Sequence, residues 1–189
     1  MTRAFTRLAF RPAVKAAQER YGTRGFCRKL ERAEPANDLL TADAAEFIRR
    51  RDAAFIATAS GDGWPHVQHR GGPVGFLEVL DERTVAFGDF DGNRQLLTVG
   101  NILDNPRTML LLVDFAAGRR MKVWARARIE DDRPDLLALL ADPAYPEPIA
   151  RAIVLDIQAW DMNCRRHLRR RFDEDEVAGM LAEALSASR

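Results

Sequence analysis

The spacing of apolar and polar residues changes period several times along the chain, and each change marks an element. Ala53 to Ser60 is nearly continuous in apolarity, and Gly61-Asp62-Gly63 is a turn that returns the chain as Pro65 to Arg70. Phe76 to Leu80 and Thr84 to Phe90 form a second pair around Asp81-Glu82-Arg83. After Asp91-Gly92 the period becomes helical. Leu96, Leu97, Val99, Gly100, Ile102 and Leu103 fit a helix with Asn93 as N-cap and Pro106 past its end. Arg107 to Phe115 resumes the strand pattern and Ala116-Ala117-Gly118 turns it. In the next strand Met121, Val123, Ala125, Ala127 and Ile129 alternate with Lys122, Trp124, Arg126 and Arg128, giving one apolar and one cationic face.

The flanks are more helical. Arg3, Arg7, Arg11 and Lys15 recur every four residues without an acid among the first eighteen. A mitochondrial transit peptide and a basic N-terminal arm share that pattern; Pro12 at a helix start and Gly22 at its stop favour the arm. Gly22 to Asn37 reads as loop, and Thr41 caps a helix that ends near Arg50. Asp135 to Leu140 suggests a short helix, Ile153 to Trp160 a further strand, and Asp173 to Leu185 a terminal helix. The expected fold is mainly β with peripheral helices, an antiparallel barrel and not a βαβ sheet. Three parts are expected: a basic arm with a short helix over 1–40, the barrel domain over 41–161, and a basic loop and helix over 162–189.

Composition narrows the function classes. With 189 residues, 47% of them apolar, the chain suffices for one well-buried core. The 29 basic and 28 acidic residues nearly cancel, which argues for neither nucleic acid nor membrane as partner. No apolar run approaches the roughly 18 residues that span a bilayer. Cys27 and Cys164 do not make a disulfide framework, so the expected setting is the cytoplasm. The cluster Arg165, Arg166, Arg169, Arg170 and Arg171 is answered at once by Asp173-Glu174-Asp175-Glu176 and carries no interleaved aromatic platform. His66 and His69 fall on opposite faces of a strand, and Cys164 with His167 is too small a ligand set, so no metal site is expected.

Four segments, in order, carry a resemblance. They are Gly63-Trp64-Pro65 leading to Gln68-His69-Arg70, Phe87 to Arg94, Asn105-Pro106-Arg107, and Arg119-Arg120-Met121-Lys122-Val123. Together they resemble the pyridoxamine 5'-phosphate oxidase-like flavoproteins of the FMN-binding split-barrel fold. Gln68 to Phe76 and Asp161-Met162-Asn163-Cys164 are similar to a subgroup known mostly as FMN-binding proteins. The resemblance implies an antiparallel six-stranded split barrel and a homodimer with FMN at the subunit interface. It also implies a cofactor-binding set of Gln68, His69, Arg70, Phe87, Asn93, Arg94, Gln95, Arg120 and Lys122. Arg70 matches the family's strand arginine and Arg94 its first helix cation, and a helix N-terminus suits a phosphate dianion.

Gln95 stands where the family oxidase has a lysine, and Gly71-Gly72-Pro73-Val74-Gly75 replaces an apolar segment. The C-terminal arginine and histidine pattern that reads pyridoxine phosphate is absent, so vitamin B6 is not the expected substrate. No catalytic residue is assigned. The resemblance implies an oxidoreductase that transfers hydride between a reduced nicotinamide or small organic substrate and FMN. A non-catalytic FMN carrier or sensor is the alternative, and a barrel that lost its ligand is a third class.

Overall fold

The computed structural model describes residues 3–163 and 166–187, so Cys164 and Arg165 lie outside the described residues. Seven strands form one antiparallel sheet: β1 (Ala53–Ala59), β2 (Pro65–Gly71), β3 (Glu78–Val79), β4 (Thr84–Phe90), β5 (Arg107–Asp114), β6 (Arg119–Glu130) and β7 (Ile149–Asn163). Their order is β2-β1-β5-β6-β7-β4-β3. The expected six-stranded split barrel is thus corrected to seven strands in an unclosed sheet among the described residues, with β2 and β3 at its ends. β7 is longer than its apolar centre suggests and pairs with both β6 and β4. β3 is only two residues long, too short to carry the ladder back to β2. Side chains span the gap instead, as described below.

Among the described residues there are seven helices: α1 (Ala4–Ala9), α2 (Pro12–Arg20), α3 (Arg24–Glu31), α4 (Ala42–Arg49), α5 (Leu97–Asp104), α6 (Pro134–Leu140) and α7 (Glu174–Ala187). Pro12 opens α2, and Gly22 follows it with φ +72, a backbone that favours glycine. Thr41 caps α4 through its side-chain oxygen, which accepts from the Ala44 N–H at 3.2 Å. The expected loop from Gly22 to Asn37 instead contains α3. Its only buried residue is Cys27, so it has too narrow an apolar side to show in the sequence. An Arg24–Glu31 ion pair at 3.0 Å spans its length.

The main core lies between one face of the sheet and α4. Ile56, Leu77, Phe87, Leu110, Leu112, Met121, Val123, Ile153, Leu155 and Ile157 are all at most 2% exposed. A smaller cluster under α6 joins Leu136 to Ala86, Ala152 and Val154. A third seats Ala4 and Phe5 of α1 on Ala159, with Phe5 stacked on Trp124 at 5.5 Å. Among the described residues no helix is long and apolar enough to cross a membrane.

Candidate anion site in the split of the sheet

Strand alternation puts His66, Gln68 and Arg70 on one face of β2, with Val67 and His69 on the other. The first three line a cavity of about 380 Å³, completed by Asp89, the loop from Phe90 to Leu96, the first turn of α5, and Arg151 at the start of β7. The cavity sits where main-chain pairing between β2 and β4 is missing.

Asp89 bridges that gap. Its Oδ1 accepts from Arg70 Nη1 at 2.6 Å and its Oδ2 from Arg151 Nη1 at 2.8 Å. The Asp89 side chain is 6% exposed, and Arg70 and Arg151 are 17% and 23% exposed. A buried carboxylate holds its charge only when paired and hydrogen-bonded, which the two guanidiniums achieve. The Nε of Arg70 is nevertheless buried with no partner. Gln68 ties β2 to α5, its carbonyl oxygen accepting from Thr98 Oγ1 at 2.7 Å. That leaves the Gln68 amide NH2 as the donor.

The loop closes the other side. Arg94 and Leu96 adopt left-handed φ values of 57 and 55, uncommon for residues other than glycine. Leu96 is therefore the N-cap and α5 begins at Leu97, not beside Asn93 as the pattern predicts. Asn93 instead accepts from the Gln95 N–H at 3.1 Å, an Asx turn inside the loop. Arg94 grips Asp91 with two bonds of 2.6 and 3.2 Å. That hydrogen bond, and then the charge, holds the Asp91 carboxyl below its ordinary pKa and raises that of Arg94. Both side chains are exposed, so the pair adds little stability and is open to exchange.

The lining holds three arginines and two aspartates, and Arg151 is also answered from outside it by Asp131 at 3.5 Å, so the guanidinium donors are there with their charge nearly balanced. Together with the N–H groups that a helix leaves unpaired in its first turn, this is chemistry for holding a phosphate or carboxylate.

The structure brings together Gln68, Arg70, Asn93, Arg94 and Gln95. It does not bring the other four predicted residues there. His69 faces the opposite side of β2, its ring 5.5 Å from that of Phe55. Phe87 is 1% exposed in the main core, edge-on to Phe76. Arg120 and Lys122 alternate with buried Met121 and so stand on the outer face of β6, Lys122 over the ring of Trp124. The glycine-rich segment also leaves the cavity. Gly72 donates to Asp52 O at 3.0 Å, and a Cβ there would lie 2.7 Å from Phe76. Sequence reasoning missed Asp89, Arg151 and Thr98. A lone acid inside the apolar run Thr84 to Phe90 is a signal that could have found Asp89.

Residues 40–164, more than half of the chain, match the family model described as pyridoxamine 5'-phosphate oxidase. Among solved structures, HupZ of Group A Streptococcus matches with a TM-score of 0.54 and 13% identity, over 70% of this chain and 99% of that one. A pyridoxamine 5'-phosphate oxidase candidate from Lactobacillus delbrueckii matches with a TM-score of 0.51 and 21% identity, over 66% of this chain and 94% of that one. At such identities the likeness is one of fold. No curated protein sequence matches the chain.

Proposed function

The chain belongs to the pyridoxamine 5'-phosphate oxidase family, matched over residues 40–164, and from that premise we propose that it binds FMN with the phosphate in the split of the sheet and acts as an FMN-dependent oxidoreductase. The observation that carries the reading is the convergence of Arg70, Arg94 and Arg151 on one cavity at the start of α5, with the Arg70 Nε buried and unpartnered. These residues fit the group. Guanidiniums offer paired N–H donors to phosphate oxygens, and the volume falls in the range of about 300–1,000 Å³ typical of small-molecule sites.

In this reading Gln68, Arg70, Asn93, Arg94 and Gln95 hold the phosphate end, and Phe87 supports the site from the core. Arg94 exchanges Asp91 for the phosphate. Asp89 keeps Arg70 and Arg151 in place across the split. His69, Arg120 and Lys122 point outward and are proposed to meet the cofactor of a second copy in a homodimer. When bound, FMN supplies the hydride chemistry, and a cation beside its ring favours the reduced, anionic form.

The absorbance spectrum of the freshly purified chain, followed by identification of any released chromophore, tests the proposal. Twin near-ultraviolet and blue bands with FMN released are expected. A colourless protein that FMN does not titrate sinks it. A second reading, FMN carriage or sensing, is favoured by the two carboxylates in the cavity and by uncharged Gln95. Steady-state reduction by NADH or NADPH separates the two, because a carrier reduces slowly and shows no saturable acceptor.

A further inference from the structure

The basic series at the N-terminus divides in the fold. Arg3 donates to Asp161 at 3.2 Å, and Lys15 lies 3.5 Å from Glu31. Arg7 and Arg11 line a second cavity, of about 510 Å³, between α1 and the outer face of β5 and β6. Arg107 and Arg126 line it too, and they are direct cross-strand partners in the β5–β6 ladder. Like charges in that relation repel and weaken a sheet. Two residues along the same face, Arg128 shows how the strand neutralises a cation: Glu130 and Asp156 each bond it at 2.8 Å, so that Asp156, the β7 register partner of Arg126, gives its carboxylate to Arg128. Among the described residues no carboxylate pairs with Arg11, Arg107 or Arg126, and no acid lines the cavity. Trp124, stacked on Phe5, forms a rigid wall beside them.

We propose that this cavity is a second anion site, separate from the one in the split, and that it takes a ligand with two linked phosphates. A single phosphate brings at most two negative charges, fewer than the three guanidiniums of Arg11, Arg107 and Arg126, and the volume leaves room for a body beyond the phosphates. Planar guanidinium forks suit phosphate oxygens, and an anion removes the repulsion between Arg107 and Arg126. Free diphosphate and the diphosphate of a nucleotide share this chemistry. The inference stands on these residues alone and does not require flavin in the split.

Isothermal titration of the full chain carrying Arg94→Ala, which weakens the split cavity, with pyrophosphate and separately with adenosine diphosphate tests the site. The expected result is binding that survives Arg94→Ala, weakens with added salt, and falls about 10-fold or more when Arg107→Gln and Arg126→Gln are added. Tighter binding of adenosine diphosphate assigns a nucleotide, and equal or weaker binding assigns the diphosphate itself. The proposal is overturned if the Arg94→Ala chain binds neither probe, or if the added glutamines leave affinity unchanged. Thermal melting checks the fold of that variant, whose midpoint should rise as the like-charge pair is lost. Arg11→Gln, which lies off the sheet, should give a similar drop in affinity without touching the ladder.

Discussion

Asp89 gives each of its oxygens to a different arginine, one from β2 and one from β7, so a single carboxylate joins two strands that share no main-chain bond. Asp89→Asn leaves two partly buried guanidiniums facing each other, with only Arg151 still answered, by exposed Asp131 at 3.5 Å. Denaturant unfolding should show a loss of about 3 kcal/mol, with part of the loss restored by added phosphate. A loss that phosphate leaves untouched would remove the split as an anion site. Arg94, being exposed and held only by exposed Asp91, has the opposite profile. Arg94→Ala should leave the melting midpoint of the cofactor-free chain within about a degree or two while weakening FMN binding about 10- to 100-fold in a fluorescence titration. Arg70 and Arg94 are legible in the sequence because they stand in ordered runs with turn signals around them. Arg151 is not, because a cation two residues before the expected strand Ile153 to Trp160 carries no period. Its role exists only once β7 lies beside β4.

The helices show where pattern reading stops. α5 is legible from Leu96 to Leu103, but its first turn is displaced because Arg94 and Leu96 take left-handed backbone angles that hydrophobic spacing does not encode. α1 is stabilised from outside: Phe5 is 5% exposed against Trp124, a contact over more than a hundred residues of sequence. Phe5→Ala should cost about 3 kcal/mol in denaturant unfolding, and an unchanged midpoint would mean that the arm adds nothing to the fold. The clasp beside it predicts a pH effect. Burial raises the Asp161 carboxyl above its ordinary value, partly opposed by the charges of Arg3 and Lys122. The folded state then holds this proton more tightly than the unfolded one. The contribution is fully present below the unfolded pKa and is lost as pH rises through the folded one. The stability difference between the wild type and Asp161→Asn should therefore shift against the wild type as pH rises from about 3 to 6. A difference that is flat or moves the other way excludes the linkage.

At the scale of the molecule, the alternation that fills the core also decides what faces outward. Phe55 and His69, Ala57 and Val67, and Ala59 and Pro65 are cross-strand partners on the outer side of β1 and β2. Met109 and Leu111 extend that side onto β5, opposite Trp124 and Lys122 of β6. An antiparallel sheet with one solvated face is normally polar there, whereas this face is apolar over three strands, with Val67 62% exposed. A second copy is its expected cover. Because Lys122 stands on the same face as Leu111, a partner seated there would meet Lys122. Two variants separate covering from contact. Val67→Glu should yield a monomer by light scattering together with loss of bound flavin, since it blocks the docking. Lys122→Ala should keep the dimer and weaken flavin binding alone. If Val67→Glu still runs as a dimer with full flavin, the outer sheet is not the interface, and Lys122 and Arg120 have no route to a cofactor.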